Sequence, residues 1–223
     1  MVNGRTTTYT AATRLTTDTT PAGRRMQSTV DTKGRVSRVQ AANLHPLRLA
    51  YDSDGRSTTM QYGPDPDTAA TRTTTVSYVD DFAIAFDGYP PAAKGQVKST
   101  TDAAGRTTSF EYNAQGRVSA QLLPDAPPLV RRVEFLYDPA GNVTAITPPG
   151  RPAHGFAYTP VNLEASYTPP VAPPLLDTDT TYTYTADRQL DLVTRPDAGT
   201  IDYAYDAAGR LGGLGAALSG IAR

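Results

Sequence analysis

The sequence is short of the residues that form disulfides, bind metals or build a thick core. It contains no cysteine and no tryptophan, and only 8% of its 223 residues are aromatic. The lack of cysteine excludes disulfides and thiolate metal sites. An apolar run of about 18 residues is missing too, so we expect no membrane span. No basic and apolar leader follows Met1, so we expect any export signal to lie outside this chain.

Residues that carry chemistry are also sparse. The two histidines, His45 and His154, each stand beside proline or glycine in loop-like sequence. We expect both to be solvated or hydrogen-bonded rather than catalytic. The sequence has no Gly-x-Ser-x-Gly, His-Glu-x-x-His or Gly-x-x-x-x-Gly-Lys motif. We therefore predict no enzyme activity, no catalytic or metal-binding residues and no cofactor.

Charges are balanced and dispersed along the chain. The net charge is −1, and no basic patch of the kind that binds nucleic acid is present, so we expect no nucleic-acid partner. Asp52-Ser53-Asp54-Gly55 and Asp177-Thr178-Asp179 could offer oxygen ligands to calcium. Neither continues into a full binding loop with a distal glutamate, and a turn already explains the first.

What the sequence does contain is a recurring short motif. Its pattern is Asp or Asn, two free residues, Gly, and then Arg or Asn. Random order of this composition would give roughly 0.2 copies, whereas six are present, starting at Asp31, Asp52, Asp102, Asn113, Asp138 and Asp206. In the clearest copies a tyrosine precedes the motif, as in Tyr51-Asp52, Tyr137-Asp138 and Tyr205-Asp206. Repetition of this kind predicts a repeat architecture.

The motif has the chemistry of a β-hairpin turn. Asp or Asn at the first position can accept a hydrogen bond from the backbone two residues on, and Gly three residues later supplies a positive φ. The flanking Thr, Val and Tyr residues suit strands. We therefore assign a structural turn role to twelve residues: Asp31, Gly34, Asp52, Gly55, Asp102, Gly105, Asn113, Gly116, Asp138, Gly141, Asp206 and Gly209.

The spacing of the motif predicts an all-β antiparallel meander. Gly105 and Gly116 are 11 residues apart, and Gly34 and Gly55 are 21 apart, which correspond to one and two strands with their turns. We expect a single array over residues 1–223, with degenerate repeats at 1–28 and 63–98. The alternating Phe and Ile of residues 80–86 suit a strand with one buried face. Residues 148–176 are proline-rich and predict an inserted loop, with short extended pieces around Phe156-Ala157-Tyr158.

Two longer stretches carry a family resemblance, residues 137–154 and 182–211. They resemble the YD repeats of bacterial Rhs (rearrangement hotspot) proteins, Tc-toxin shell components and animal teneurins. The resemblance implies a YD-repeat meander of hairpins that forms a curved ribbon or part of a hollow β-shell enclosing a toxic polypeptide. Such shells usually end in a self-cleaving Asp-Pro-x-Gly core. Asp138-Pro139-Ala140-Gly141 has these letters, but it lies between two strand patterns and indicates a turn.

Three functions remain open at this point. The first is a structural segment of a secreted or surface-exposed bacterial shell, so that this chain is a fragment of a longer shell. Its partners would be other shell segments, further copies of itself bound through its sheet edges, or a toxin cargo. The second is an adhesion module that shows Tyr and Thr to a carbohydrate or a protein, and the third is an enzyme. The structural reading also expects the tyrosines to stack across strands and each turn arginine to pair with a neighbouring turn's aspartate. The tyrosines concerned are Tyr51, Tyr62, Tyr112, Tyr137, Tyr182, Tyr184, Tyr203 and Tyr205.

Overall fold

A computed structural model describes residues 4–64, 71–124, 131–170 and 179–217 of the chain. The chain forms two compact units, residues 1–117 and 118–223. The described residues of each unit form nine strands, and within a unit each strand pairs antiparallel with the next one along the chain. The all-β antiparallel meander predicted from the sequence is confirmed.

The first unit is built from short strands joined by tight turns and one helical insertion. Its strands are β1 (Thr6–Thr10), β2 (Leu15–Thr19), β3 (Arg25–Val30), β4 (Val36–Ala41), β5 (Leu47–Tyr51), β6 (Ser57–Tyr62), β7 (Arg72–Tyr78), β8 (Val97–Thr101) and β9 (Thr107–Tyr112). Helix α1 (Asp81–Phe86) and a 3₁₀ turn (Pro91–Ala93) lie between β7 and β8.

The second unit repeats the same pattern. Its strands are β10 (Val118–Leu123), β11 (Arg131–Tyr137), β12 (Val143–Thr147), β13 (His154–Tyr158), β14 (Glu164–Thr168), β15 (Thr180–Tyr184), β16 (Leu190–Thr194), β17 (Thr200–Tyr205) and β18 (Leu211–Ala217). Because antiparallel strands reverse direction at every turn, alternate turns of a unit lie at the same edge of its sheet.

Residues 80–86 form helix α1, so the expectation of a strand there is wrong. Asp80 caps the helix, since its carboxylate accepts the Ala83 N–H at 2.8 Å. Gly88, with φ of 78°, follows the C-terminal end. Both are ordinary helix-boundary signals. The alternating pattern misled because Phe82 and Phe86 are also four residues apart, which places them on one helical face, and both are exposed.

The proline-rich segment also differs from expectation within its described part. The extended piece expected around residues 156–158 is present as β13. Instead of belonging to an inserted loop, β13 forms a hairpin with β14 in which Phe156 pairs with Tyr167. β13 also pairs with β12, and β14 pairs with β15. Prolines 148, 149, 152, 160, 169 and 170 fall between the strands, where a missing N–H costs no ladder hydrogen bond. Residues 171–176 lie outside the described ranges.

Few side chains are fully buried, and most strand residues in both units are half-buried. Among the described residues, the buried apolar side chains are those of Val79, Ala83, Ala93, Ala120, Val193 and Pro46. Val79, Ala83 and Ala93 form one cluster between α1, the 3₁₀ turn and the sheet. Elsewhere in the described ranges, the strands of each unit make their main contacts with the strands next to them, as a single layer.

The insertion cluster is expected to be the most sensitive packing site of the first unit. Val79 is 0% exposed, and Val79→Ala should lower the free energy of unfolding by about 2 kcal/mol through lost burial and a residual cavity. Val36→Ala is the matched control, because Val36 is 36% exposed and should cost less than about 1 kcal/mol. Urea denaturation of both variants measures the difference, and equal losses would contradict the packing described here.

Candidate functional site: the tyrosine edge

The structure places all twelve sequence-assigned turn residues in five-residue turns of one design. In the turn 52–56, the Asp52 N–H donates to the Arg56 carbonyl at 3.0 Å, and the Gly55 N–H donates to the Asp52 carbonyl at 3.2 Å. The Asp52 carboxylate accepts the Arg56 N–H at 2.8 Å. The same two backbone bonds close the turns that begin at Asp31, Asp102, Asn113, Asp138 and Asp206. Glycine at the fourth position always has positive φ, from 74° to 101°, which favours a residue without Cβ.

Ionised carboxylates stabilise these turns. Hydrogen bonds from the backbone and side chain of Arg35 lower the pKa of Asp31. At Asp52 burial raises the pKa, but the backbone and side-chain hydrogen bonds of Arg56 outweigh it and the pKa is lowered. The fifth turn residue is likewise the main cause of the lowered pKa values of Asp102, Asp138 and Asp206.

In the four turns that contain both aspartate and arginine, the arginine pairs with the aspartate of its own turn, so the expected pairing with a neighbouring turn's aspartate is wrong for these turns. Arg56 Nε donates to Asp52 Oδ2 at 2.7 Å. The same i,i+4 pair joins Arg35 with Asp31, Arg106 with Asp102, and Arg210 with Asp206. The reason is geometric, because the turn brings its first and fifth residues together and leaves the next turn of that edge two strands away.

A tyrosine at the end of the strand before a turn connects it to the previous turn of the same edge. The Tyr51 hydroxyl donates to the Val36 carbonyl at 2.8 Å, and Val36 is the first residue after the turn 31–35. The same bond is made within the first unit by Tyr78 to Ser57 and Tyr112 to Val97. In the second unit it is made by Tyr137 to Val118, Tyr158 to Val143, Tyr184 to Glu164 and Tyr205 to Leu190. We call the edge that carries these turns the tyrosine edge of each unit.

Ring stacking of the tyrosines across neighbouring strands was expected, but the Tyr51 ring contacts an arginine, as does the ring of Tyr78. The guanidinium of Arg35 lies 4.5 Å from the Tyr51 ring centre, and that of Arg56 lies 4.5 Å from the Tyr78 ring centre. Tyrosines of successive repeats stand two strands apart, which is roughly 10 Å and too far for direct stacking. The arginine fills this gap. Arg35 and Arg56 side chains are accordingly only 26% and 28% exposed.

A bulge accompanies the turns of the tyrosine edge. After the turn 52–56, Tyr51 pairs with Ser57 but Ala50 pairs with Thr59, so the second strand holds one extra residue. Equivalent shifts occur at Val30, Tyr78, Tyr137, Tyr158, Tyr184 and Tyr205. A bulge changes the direction of the side chains beside it. Where the bulge lies at a tyrosine, it accompanies the orientation of the tyrosine side chain towards the neighbouring carbonyl.

Further turns of the same design lack the sequence motif. Thr20, Thr159 and Thr185 replace aspartate at the first position, and each hydroxyl accepts the N–H of the fifth residue at 3.1 to 3.2 Å. The fourth position has positive φ without glycine at Asn162, Arg188 and Ala198. A sequence search that allows Thr as well as Asp at the first position, and any residue at the fourth, would find the turns that begin at Thr20, Thr159 and Thr185.

The other sequence candidates form no composite site in the described part of the chain. His154 Nδ1 lies 2.7 Å from the Tyr167 hydroxyl, and the His45 ring meets the edge of the Tyr62 ring. Within the described ranges, no group of three metal-ligating side chains and no helix of membrane-spanning length and hydropathy is found. Asp177 and Thr178 of the second calcium candidate lie outside these ranges.

A family model described as teneurin YD-shell matches residues 6–215, nearly the whole chain. The chain belongs to the teneurin YD-shell family. The recognition of YD repeats in the sequence is thereby confirmed. No curated protein matches the sequence.

Solved structures show the same YD-shell fold. The chain is similar to the crystal structure of TcdB2-TccC3-Cdc42, with 14% identity and a TM-score of 0.69 over 90% of this chain and 10% of the solved chain. It is also similar to TcdB2-TccC3, with 14% identity and a TM-score of 0.66 over 90% of this chain and 11% of the solved one. The YD-shell chain described here thus spans about a tenth of the length of these relatives.

We expect the tyrosine hydroxyl bond to stabilise the sheet measurably. Tyr78→Phe removes only the hydroxyl that donates to Ser57 at 2.8 Å, leaves the half-buried carbonyl without this donor, and should cost about 0.5–1.5 kcal/mol. Tyr9→Phe is the matched control, because Tyr9 is 62% exposed and its hydroxyl makes no hydrogen bond among the described residues. Chemical denaturation gives both values, and a Tyr78→Phe loss no larger than the Tyr9→Phe loss would refute this role.

Acid should weaken the turns. The folded-state pKa values of the turn aspartates lie below the unfolded value of about 3.9, so their contribution is full above that value and is lost as the pH falls below it through the folded values. Asp52→Asn keeps the turn, as Asn113 does naturally, but removes the ionisation. Its melting temperature should therefore fall less between pH 5 and pH 3.

The control for the acid experiment is Asp191→Asn in β16. The Asp191 side chain is exposed and makes no hydrogen bond among the described residues, so this variant should show the acid sensitivity of the unaltered chain. Thermal unfolding followed by circular dichroism at each pH gives the comparison. Equal acid sensitivity of Asp52→Asn and Asp191→Asn would rule out the turn carboxylates as its source.

Proposed function

We propose that this chain is a wall segment of a YD-repeat β-shell and acts by enclosure and assembly, without a catalytic step of its own. The observation that supports this most is the single-layer ladder, in which most strand residues are half-buried and few side chains are fully buried. Such a layer gains its order from the tyrosine edge rather than from a core. A wall needs this property, because it has to extend by adding strands and not by thickening.

The share of the solved relatives that the chain covers supports the role of a segment. It matches 10% and 11% of two chains whose names contain TcdB2-TccC3. In our proposal, further YD-repeat segments complete the wall beside this one. We also propose a bacterial Rhs-type context, action outside the producing cell and a toxin polypeptide as the enclosed cargo.

Two strands offer the contacts that such a wall requires. Every residue of β1 and every residue of β18 is exposed. β1 pairs with β2, and β18 pairs with β17. An exposed strand with unpaired backbone groups recruits another strand. We propose that these strands bind neighbouring wall segments or further copies of this chain.

Self-association through β18 can be tested with one charge. Leu214 in β18 is 62% exposed, and Leu214→Lys should oppose strand addition because a lysine on an edge strand resists pairing with another chain. We expect the unaltered protein to associate with rising concentration in multi-angle light scattering, and we expect Leu214→Lys to shift the association to severalfold higher concentration.

Leu136→Lys provides the matched control. Leu136 is 64% exposed but lies in β11, which pairs with both β10 and β12. The same charge there should leave association unchanged, and far-ultraviolet circular dichroism verifies that both variants fold. A protein that remains monomeric at every concentration, or an equal effect of the two lysines, would disprove association through β18.

A further inference from the structure

A groove lies on the tyrosine edge of the second unit, between the turns 159–163 and 185–189. Its volume is about 520 Å³, within the range of about 300–1,000 Å³ that small-molecule sites occupy. Val161, Leu163, Tyr182 and Tyr184 supply an apolar wall, and Thr159, Thr183, Thr185 and Arg188 supply polar groups. No carboxylate is among the described residues that line it.

The groove is open because the fifth residue of the turn 159–163 is Leu163. At other turns of the tyrosine edge this residue bridges to the next turn. Arg35 covers Tyr51 and donates to the Asp52 carbonyl, and Asn142 donates to Asn162. Gln189 donates to the Gly209 carbonyl in the same way. Leucine has no donor to reach across, so among the described residues no cation covers Tyr184.

Arg188 stands in this groove at the fourth position of its turn, which glycine occupies in most turns of the tyrosine edge and Asn162 occupies in the turn 159–163. Its φ is 63°, in the left-handed region, where Gly141 and Gly209 lie in the other turns. A residue with a Cβ pays a conformational cost there. Among the described residues, the Arg188 guanidinium makes no hydrogen bond or ion pair. The Arg188 side chain is exposed, so its guanidinium is available to a partner from outside the described chain.

The hydrogen-bonding groups of the groove have donors to offer. The Thr159 and Thr185 oxygens accept backbone N–H groups, which leaves their O–H groups to donate. The Tyr182 hydroxyl makes no hydrogen bond among the described residues, and burial raises its pKa, so it stays protonated. Glu164 contributes to that raised pKa but does not line the groove. One cation and several donors beside two aromatic rings fit an anionic ligand that is rich in acceptors and has an apolar face.

We propose that this groove binds an acidic sugar, a pyranose ring that carries a carboxylate. The Arg188 guanidinium pairs with the carboxylate through charge-assisted hydrogen bonds. The C–H face of the ring packs on Tyr182 and Tyr184, and the threonine hydroxyls donate to ring oxygens. This inference goes beyond the wall role and does not depend on it. It extends the expectation of a carbohydrate partner from the sequence by proposing a binding groove and a charged sugar.

Two ligands that differ only at one carbon test the charge requirement. Methyl glucuronide carries a carboxylate where methyl glucoside carries a hydroxymethyl group. In titrations followed by nuclear magnetic resonance, we expect the whole chain to bind the glucuronide at least about tenfold more tightly, which is the size of effect that a charge-assisted hydrogen bond supplies. Equal binding of the two sugars, or binding of neither at millimolar concentration, would overturn the proposal.

Two variants assign the contributions of charge and ring. Arg188→Gly places in this turn the residue that other turns have there, so it should fold, and it should lose the preference for glucuronide while keeping weak binding of both sugars. Tyr182→Leu should weaken both sugars alike and keep the preference. Circular dichroism and thermal unfolding verify that each variant is folded.

Arg14→Gly is the matched control for Arg188→Gly. Arg14 has φ of 51° in a turn of the first unit and does not line the groove. The same substitution there relieves the same kind of backbone strain, but it should leave the glucuronide preference unchanged. A preference that survives Arg188→Gly, or that is lost in Arg14→Gly, would show that Arg188 does not read the carboxylate.

Discussion

The hydrogen bond from a tyrosine hydroxyl to the backbone carbonyl of the preceding turn is the interaction on which the order of the sheet depends. A single-layer ladder has little buried apolar surface to hold its strands in register. The tyrosine hydroxyl bond joins two neighbouring strands. Because the tyrosine precedes one turn and its acceptor follows the previous turn, the bond also connects two turns that are two strands apart. With the arginine that lies over the next ring, it joins local turn chemistry to long-range order.

The turns themselves form without that long-range contact. Aspartate, glycine and arginine satisfy one another within five residues, so each turn is specified by its own sequence. The arginine is the residue with two roles. Its Nε holds the aspartate of its own turn, and its planar face covers the ring of the next repeat. Lysine could not do both, because an ammonium has neither the fork nor the plane.

How far the sequence predicts this structure follows from where the information lies. Turns with Asp or Asn and Gly can be found by inspection, because their residues act within five positions. The turns at Thr159 and Thr185 cannot be found by a search for Asp or Asn and Gly. In them the ladder imposes a positive φ on Asn162 and Arg188, which neither residue type predicts. Helix α1 was missed because Phe82 and Phe86 satisfy both periodicities, although Asp80 and Gly88 mark its ends. The groove exists because Leu163 makes no bridge to the next turn. This can be seen only when the turns are placed beside one another in the fold.

The number of residues between the donor and the acceptor of the tyrosine hydrogen bond differs along the chain. Donor and acceptor are 15 residues apart for Tyr51, Tyr112, Tyr158 and Tyr205, but 19 to 21 apart for Tyr78, Tyr137 and Tyr184. The hydrogen bonds are equally short in both groups, from 2.6 to 2.9 Å. The contact therefore tolerates extra residues between its donor and its acceptor. The repeating unit is a fixed number of strands and not a fixed number of residues. A constant spatial period therefore does not require a constant sequence period.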